Sequence, residues 1–246
     1  MKALLALLVM ACLATGALAQ EKTESRELVG HMGSREALLV LHAVERADGG
    51  WHLTGEYLVL GTLERRYLEG ERGPELGATA LRESLSAIPF GRAPVGELRG
   101  TWREGVFRGT RLGPGGQSRE DFVFREAFPS MKEYTATVSC TAGASNYASS
   151  LAYSIEAGKL AGDLEWASRT ANDGHICKVV ASTEAPMEGG LRFVDGECAV
   201  TLRRVGEESI RVAAENCTSR CGSGAYLEPL LVDERGRCRL LRPAPR

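Results

Sequence analysis

The chain lacks a basic excess. Its Lys and Arg number 30 against 32 Asp and Glu, a formal charge of −2 at pH 7. Nothing in that balance collects phosphates, so nucleic acid is excluded as a partner. Aromatic residues are scarce at 6%. After residue 19 no apolar run is long enough to cross a bilayer, and no transmembrane segment is expected. Catalytic signatures are missing too: there is no H-E-x-x-H, no G-x-S-x-G and no Walker-type glycine loop. His31, His42, His52 and His175 are scattered, and no spacing selects a Ser/His/Asp triad. The expectation is a protein that is not an enzyme and takes neither cofactor nor metal. What remains is ordinary: 246 residues, 43% hydrophobic and 25% charged, with 29 glycines that suit many tight turns.

The N-terminus reads as an address. A short basic start, Met1-Lys2, precedes an apolar stretch over 3–19 that ends in Ala17-Leu18-Ala19. That small-x-small ending before Gln20 marks residues 1–19 as a secretory signal peptide. Val9-Met10-Ala11-Cys12 has the outline of a lipoprotein box, but the stretch before Cys12 is short and Met10 fits it poorly. Lipid anchoring at Cys12 is therefore not expected. Without the signal, six cysteines remain: Cys140, Cys177, Cys198, Cys217, Cys221 and Cys238. An even number behind a signal predicts disulfides in an oxidising compartment, hence a periplasmic or secreted protein. The spacing does not choose the pairing. A zinc site on Cys217-x3-Cys221 with Cys238 competes, but no paired histidine lies nearby. Asn216-Cys217-Thr218 matches a glycosylation sequon. The Arg-rich usage, with 5 Lys among 30 basic residues, points to a GC-rich bacterial genome, where that match carries no meaning.

Every remaining cysteine lies after residue 139, which divides the chain into a cysteine-free part, 20–130, and a cysteine-rich part, 131–246. Strand signals dominate both. Residues 37–44 form an apolar strand that stops at the turn Asp48-Gly49-Gly50. Trp51, Leu53, Tyr57 and Val59 then share one face, and Gly55 marks a bulge or a close backbone approach. A strand from Leu76 passes into a short helix, because Ala78, Leu81, Leu85 and Ile88 are helically spaced. Phe122, Phe124 and Phe128 share a face of the strand that closes the first part, and Pro129-Ser130 marks the boundary. In the second part Tyr134, Ala136, Val138 and Cys140 alternate, as do Leu151, Tyr153 and Ile155. Val200 and Leu202 pair with Ile210 and Val212 across Gly206. The reading is mainly β: two antiparallel β domains, sandwich or barrel-like, the second stapled by disulfides.

Two segments suggest a surface for a partner. Arg99, Trp102, Arg103, Arg108, Arg111 and Arg119 surround the loop Gly113-Pro114-Gly115-Gly116, and Arg and Trp are residue types that anchor interfaces. The plainer reading is a solvated strand face with Trp102 in the core. The second segment runs from Cys217 through Arg220, Cys221, Ser223 and Gly224 to Tyr226. Two cysteines so close make a stiff loop, which loses little entropy on entering a cleft. The plainer reading is that they only staple a small domain.

A resemblance rests on these residues. Leu28-Val29-Gly30-His31-Met32-Gly33 and Gly50-Trp51-His52-Leu53-Thr54-Gly55-Glu56-Tyr57 resemble the glycine-bounded strands of small secreted Gram-negative β-proteins. That group includes periplasmic lysozyme inhibitors and related immunity proteins. Gly100-Thr101-Trp102 and Phe107-Arg108-Gly109 look like its later strands, and Ser223-Gly224-Ala225-Tyr226 is similar to the Ser-Gly loop such inhibitors place in a lysozyme cleft. A second inhibitory loop, with Lys or Thr beside Gly, has no convincing counterpart here. The resemblance implies a non-catalytic envelope protein that binds a protein partner, a peptidoglycan hydrolase in its most concrete form. Ser223, Gly224, Tyr226, Arg220, Arg111 and Arg119 would supply the contact. The alternative is a structural or small-ligand-binding envelope module.

Overall fold

The computed structural model describes residues 22–73, 78–86, 94–170, 174–222 and 225–241. The signal stretch, Cys12, Leu76, Ile88, Ser223 and Gly224 lie outside the described residues. No α-helix occurs among those described.

Eight antiparallel strands close into a barrel in chain order. They are β1 (Thr23–Met32), β2 (Arg35–Glu45), β3 (Trp51–Val59), β4 (Glu64–Arg72), β5 (Ala78–Ser84), β6 (Gly96–Arg103), β7 (Val106–Leu112) and β8 (Arg119–Arg125). Closure is made by β1 against β8, with Val29 opposite Arg125 and Met32 opposite Phe122. Alternation decides the interior, because successive side chains on a strand face opposite ways. Trp51, Leu53, Tyr57 and Val59 point inward from β3, as their spacing predicts, and meet Leu28, Leu39, Leu68, Leu81, Leu98, Phe107, Phe122 and Phe124. Apart from Val29, Leu38, Val40 and Leu58, which pack against the second part of the chain, the outward set includes the polar His42, Thr54, Glu56, Arg82, Arg99 and Arg108. That is the reverse of a barrel whose outer wall faces lipid.

Gly55 keeps its place in the β2–β3 ladder, directly opposite Leu41, so it makes no bulge. A Cβ there would collide with the Val40 carbonyl oxygen. The close approach of two backbones is therefore the reason for glycine. Gly100 does the same for packing: a Cβ would strike the rings of Phe107 and Phe122. The space it leaves lets Trp102 stack on Phe107 at 4.9 Å and Phe107 tilt against Phe122 at 4.8 Å.

Two features of the barrel differ from expectation. The expected strand is present up to Ser84, Leu85 is an exposed bend residue rather than a helical one, and the rest of the expected short helix lies outside the described residues. Cross-strand pairing with β4 and β6 overrides the helical spacing. Phe128 lies beyond the end of β8 and does not join Phe122 and Phe124 inside. It packs outside the barrel under the guanidinium of Arg203, 4.8 Å from its ring centre.

The second part forms two sheets. One holds β9 (Ala136–Ala144), β10 (Tyr147–Glu156), β11 (Lys159–Leu160), β12 (Leu164–Thr170) and β13 (Ile176–Ala181). The other holds β14 (Thr183–Ala185), β15 (Leu191–Asp195), β16 (Cys198–Arg204), β17 (Ile210–Glu215), β18 (Leu230–Val232) and β19 (Cys238–Leu240). Their inner faces share one core, in which Trp166, Leu151 and Ile155 of the first sheet meet Phe193, Val200, Leu202 and Val212 of the second. The expected hairpin of β16 and β17 is present, with Leu202 opposite Val212. Disulfides join Cys140 to Cys238, Cys177 to Cys221 and Cys198 to Cys217. All six thiols are thereby spent, which overturns the zinc alternative.

Barrel and sheets meet along a fixed seam. Val29, Leu38, Leu58 and Leu60 from the barrel's outer wall bury against Val205, Leu231 and Leu241. Each such aliphatic side chain contributes about 1.5–3 kcal/mol when fully buried. Ion pairs flank the seam: Glu27 of β1 meets Arg203 at 3.3 Å and Arg211 at 2.9 Å. The Glu36 carboxylate accepts the backbone N–H of Glu207 at 2.6 Å.

Candidate functional site

The segment after β17 is fastened at both flanks. Cys217 is bonded to Cys198 on β16, and Cys221 to Cys177 on β13. Between them Thr218–Arg220 make a single 3-10 turn. The Gly222 N–H reaches the Ile176 carbonyl at 3.4 Å, so the segment begins to add to the edge of β13. Downstream, the Tyr226 ring stacks on the buried Tyr147 at 5.3 Å. Its carbonyl accepts hydrogen bonds from Ser168 Oγ at 2.5 Å and Tyr147 Oη at 3.4 Å. The Glu228 N–H donates back to the Tyr147 hydroxyl at 2.9 Å. Arg220 is engaged with Asp195 at 2.5 Å while its side chain stays 43% exposed.

Among the expected contact residues, then, Arg220 and Tyr226 flank one short stretch whose ends cannot drift. Ser223 and Gly224 complete it in sequence and lie outside the described residues. Tyr147, Ser168 and Asp195, which hold the flanks, carried no sequence signal. They belong to distant strands, and only the fold brings them here.

Arg111 is placed elsewhere. It points into one end of the barrel, where an inward ring of charge closes the lumen. Glu83 is 0% exposed and takes two hydrogen bonds from Arg111, Nε to Oε1 at 2.7 Å and Nη2 to Oε2 at 2.8 Å. The Tyr57 hydroxyl donates to the same carboxylate at 3.1 Å. Ion pairs continue around the rim from Arg111 to Glu120 at 4.0 Å and from Glu120 to Arg35 at 2.9 Å. From there they run from Arg35 to Glu64 at 3.7 Å, and from Glu64 to Arg66. Hydrogen bonding to Glu83 raises the pKa of Arg111 still further. Burial, then the Glu83 charge, pushes the Tyr57 phenol up. Three carboxylates face three guanidiniums here, so the ring is neutral, buried at Glu83 and exposed toward Arg35 and Glu64. It can plug a barrel; it offers no surplus charge to a partner. A buried Glu inside such a ring is the kind of group that also marks active sites. Full satisfaction by Arg111 and Tyr57 gives it a structural account.

The other arginines divide by strand parity. Arg99, Arg103 and Arg108 face outward on β6 and β7 and are exposed, and Arg119 is exposed at the start of β8. Trp102 is inside, 6% exposed. The loop 113–118 is a 3-10 turn held by the Gly113 N–H on the Ser118 carbonyl. Among the described residues no group of three or more His, Cys, Asp or Glu is placed to hold a metal ion. No helix among them is long and apolar enough to cross a membrane. Comparison with protein-family models, curated proteins and solved structures finds no match.

Proposed function

We propose that this is an exported, non-catalytic envelope protein that binds a protein partner, most concretely a cell-wall-degrading enzyme whose cleft it blocks. One observation carries the reading. Two disulfides and the Tyr226–Tyr147 stack hold both flanks of the segment 217–226. A segment held in advance pays little ordering entropy on association, which is how rigid inhibitor loops reach high affinity. Ser223 and Gly224 make the contact, with Arg220 and Tyr226 beside them. Arg119 offers a second, outward charge on the barrel. Arg111 drops out of the contact set because Glu83 occupies it. The three disulfides suit an oxidising compartment. The signal-like 1–19 stretch narrows this to the periplasm or the exterior. The barrel interior is filled by its own side chains, which counts against a small ligand held in the lumen.

The test is lysis of a peptidoglycan suspension by several lysozyme types, with and without the oxidised 20–246 chain. Stoichiometric inhibition of one type is expected. Ser223→Arg should weaken it by roughly tenfold or more, about 1.4 kcal/mol of binding, with an unchanged circular dichroism spectrum. Failure to inhibit any type removes the hydrolase reading. Inhibition that Ser223→Arg leaves unchanged removes the loop from it.

A further inference from the structure

A second candidate site lies on the seam, lined by none of the residues 217–226. It is a cavity of about 530 Å³ between the barrel and the β9–β19 end of the sheets, within the range of about 300–1,000 Å³ usual for small-molecule sites. Its walls mix polar and apolar surface: the apolar share comes from Leu63, Tyr67 and Leu85 of the barrel and from Leu240 and Leu241 at the end of the last described strand. Among the described residues Leu85, 65% exposed, is more exposed than the large apolar side chains of Ile176 and Val180. An apolar rim left in water beside a cavity is a surface that gains by being covered.

Two guanidiniums enter the same cavity, and they differ. Arg65 is paired with Glu56 at 3.3 Å. Arg239 meets only neutral acceptors, the carbonyl oxygens of Gly61 at 3.3 Å and Leu60 at 3.1 Å. Its buried Nε–H has no partner, and no carboxylate among the described residues pairs with it. A guanidinium has five N–H donors and a full charge, so two carbonyls leave both unmet. A carboxylate is the group that answers such a fork.

We propose that this cavity binds an amphipathic monoanion, an alkyl or aryl chain bearing one carboxylate. The chain covers Leu85, Leu63 and Tyr67 and the head pairs with Arg239. One uncompensated charge selects a monoanion over a dianion, and it repels a cationic head. The site stands apart from the partner-binding segment, so either reading can fail without the other.

The test is calorimetric titration of the oxidised 20–246 chain with dodecanoate below its micelle concentration. Dodecyltrimethylammonium and phosphatidylglycerol vesicles serve as separate arms. Saturable 1:1 uptake of dodecanoate is expected, with no comparable uptake of the cation. Leu85→Glu should weaken binding by at least about tenfold, because it puts a like charge beside the head and removes apolar cover. Leu85→Met should retain it. Leu85 is exposed, so these variants leave the core intact, whereas Arg239→Gln, also expected to weaken binding, removes a tether to the 60–61 turn. Absent uptake, equal affinity for the cation, or an unaffected Leu85→Glu overturns the proposal. Association with vesicles alone also overturns it, by assigning the groove to a membrane surface.

Discussion

The two parts of this molecule solve the same problem by different means. A β-sheet must do something with its edges, because unpaired N–H and C=O groups invite other strands. The barrel removes them: each of its eight strands, 7–11 residues long, is paired on both sides. It contains no cysteine and needs none. The two-sheet part keeps its edges: β9 and β13, with nine and six residues, border one sheet, and several other outer strands are short. β14 and β19 have three residues each and β11 has two. The sulfur is placed where the hydrogen bonding runs out. Cys140 on the edge strand β9 is joined to Cys238 on the edge strand β19, and Cys177 sits on the edge strand β13. Closure by backbone ladders and closure by crosslinks are alternatives, and one chain uses both. The same contrast governs buried polarity. The barrel hides a charged pair, Glu83 with Arg111, while the sheets hide hydroxyls such as Ser149, which accepts from Trp166 Nε1 at 2.8 Å.

The comparison breaks first at the sulfur. Replacing both Cys140 and Cys238 by Ser opens a crosslink spanning 98 residues of sequence. Loop closure of about 100 residues is worth roughly 4.7 kcal/mol in the chain-entropy account. Removing Cys198–Cys217, which spans 19, should cost nearer about 3 kcal/mol. Denaturant titrations should give that order. Trp166, buried between the sheets, reports on this part. Equal small losses would mean that the edges are held by packing and the crosslinks are incidental.

The next effect belongs to the barrel. Glu83→Leu leaves Arg111 facing an apolar lumen without its carboxylate, and unpairing a buried ion costs about 3 kcal/mol or more. The double variant with Arg111→Leu should recover most of that loss, since a packed apolar pair replaces a buried ionic one at little net cost. A double-mutant cycle on unfolding free energies measures the coupling. Absence of coupling would show that the ring does not hold this end of the barrel shut.

Much of this architecture is legible from residue order. The odd positions from Trp51 to Val59 fill the barrel, and the turn at Asp48 and the hairpin around Gly206 fall where local chemistry puts them. What escapes is long-range. Nothing near Gly30 says that β8 will lie against it, yet a Cβ there would strike the Val123 carbonyl. Glu83 reads as an ordinary surface carboxylate in Arg82-Glu83-Ser84. Its parity with Thr79 and Leu81 is the one local clue that it points inward, and Arg111 shares parity with Phe107 in the same way. Alternation assigned to a barrel would have found the pair. Alternation assigned only to a β domain could not, because the inward face is defined by closure. The cysteine-rich segment is legible in part for the same reason: Cys217 and Cys221 lie four residues apart in sequence, but their partners and the Tyr147 shelf are distant.

The smallest effect lies at the opposite mouth of the barrel and tests whether charge matters at both ends. Arg26 donates to Glu24 at 2.9 Å and also meets Glu126, with its guanidinium 5.7 Å from the Trp102 ring centre. The hydrogen bond from Arg26 holds the Glu24 carboxyl below its ordinary range, against the opposing pull of burial and with help from Lys22. A carboxylate whose folded pKa is depressed stabilises the fold above its unfolded pKa and loses that contribution as pH falls through the folded one. The loss therefore begins below about pH 4.3, the ordinary Glu value. Because the pair is partly exposed, its worth is at most about 1 kcal/mol and shrinks with salt. Glu24→Gln should be slightly less stable than the parent at pH 7, and the two unfolding curves should converge as the acid is titrated, with Trp102 fluorescence as the local reporter. Curves that stay parallel through that window would leave Glu83 and Arg111 as the ionic lock and make the Trp102 mouth an aromatic closure alone.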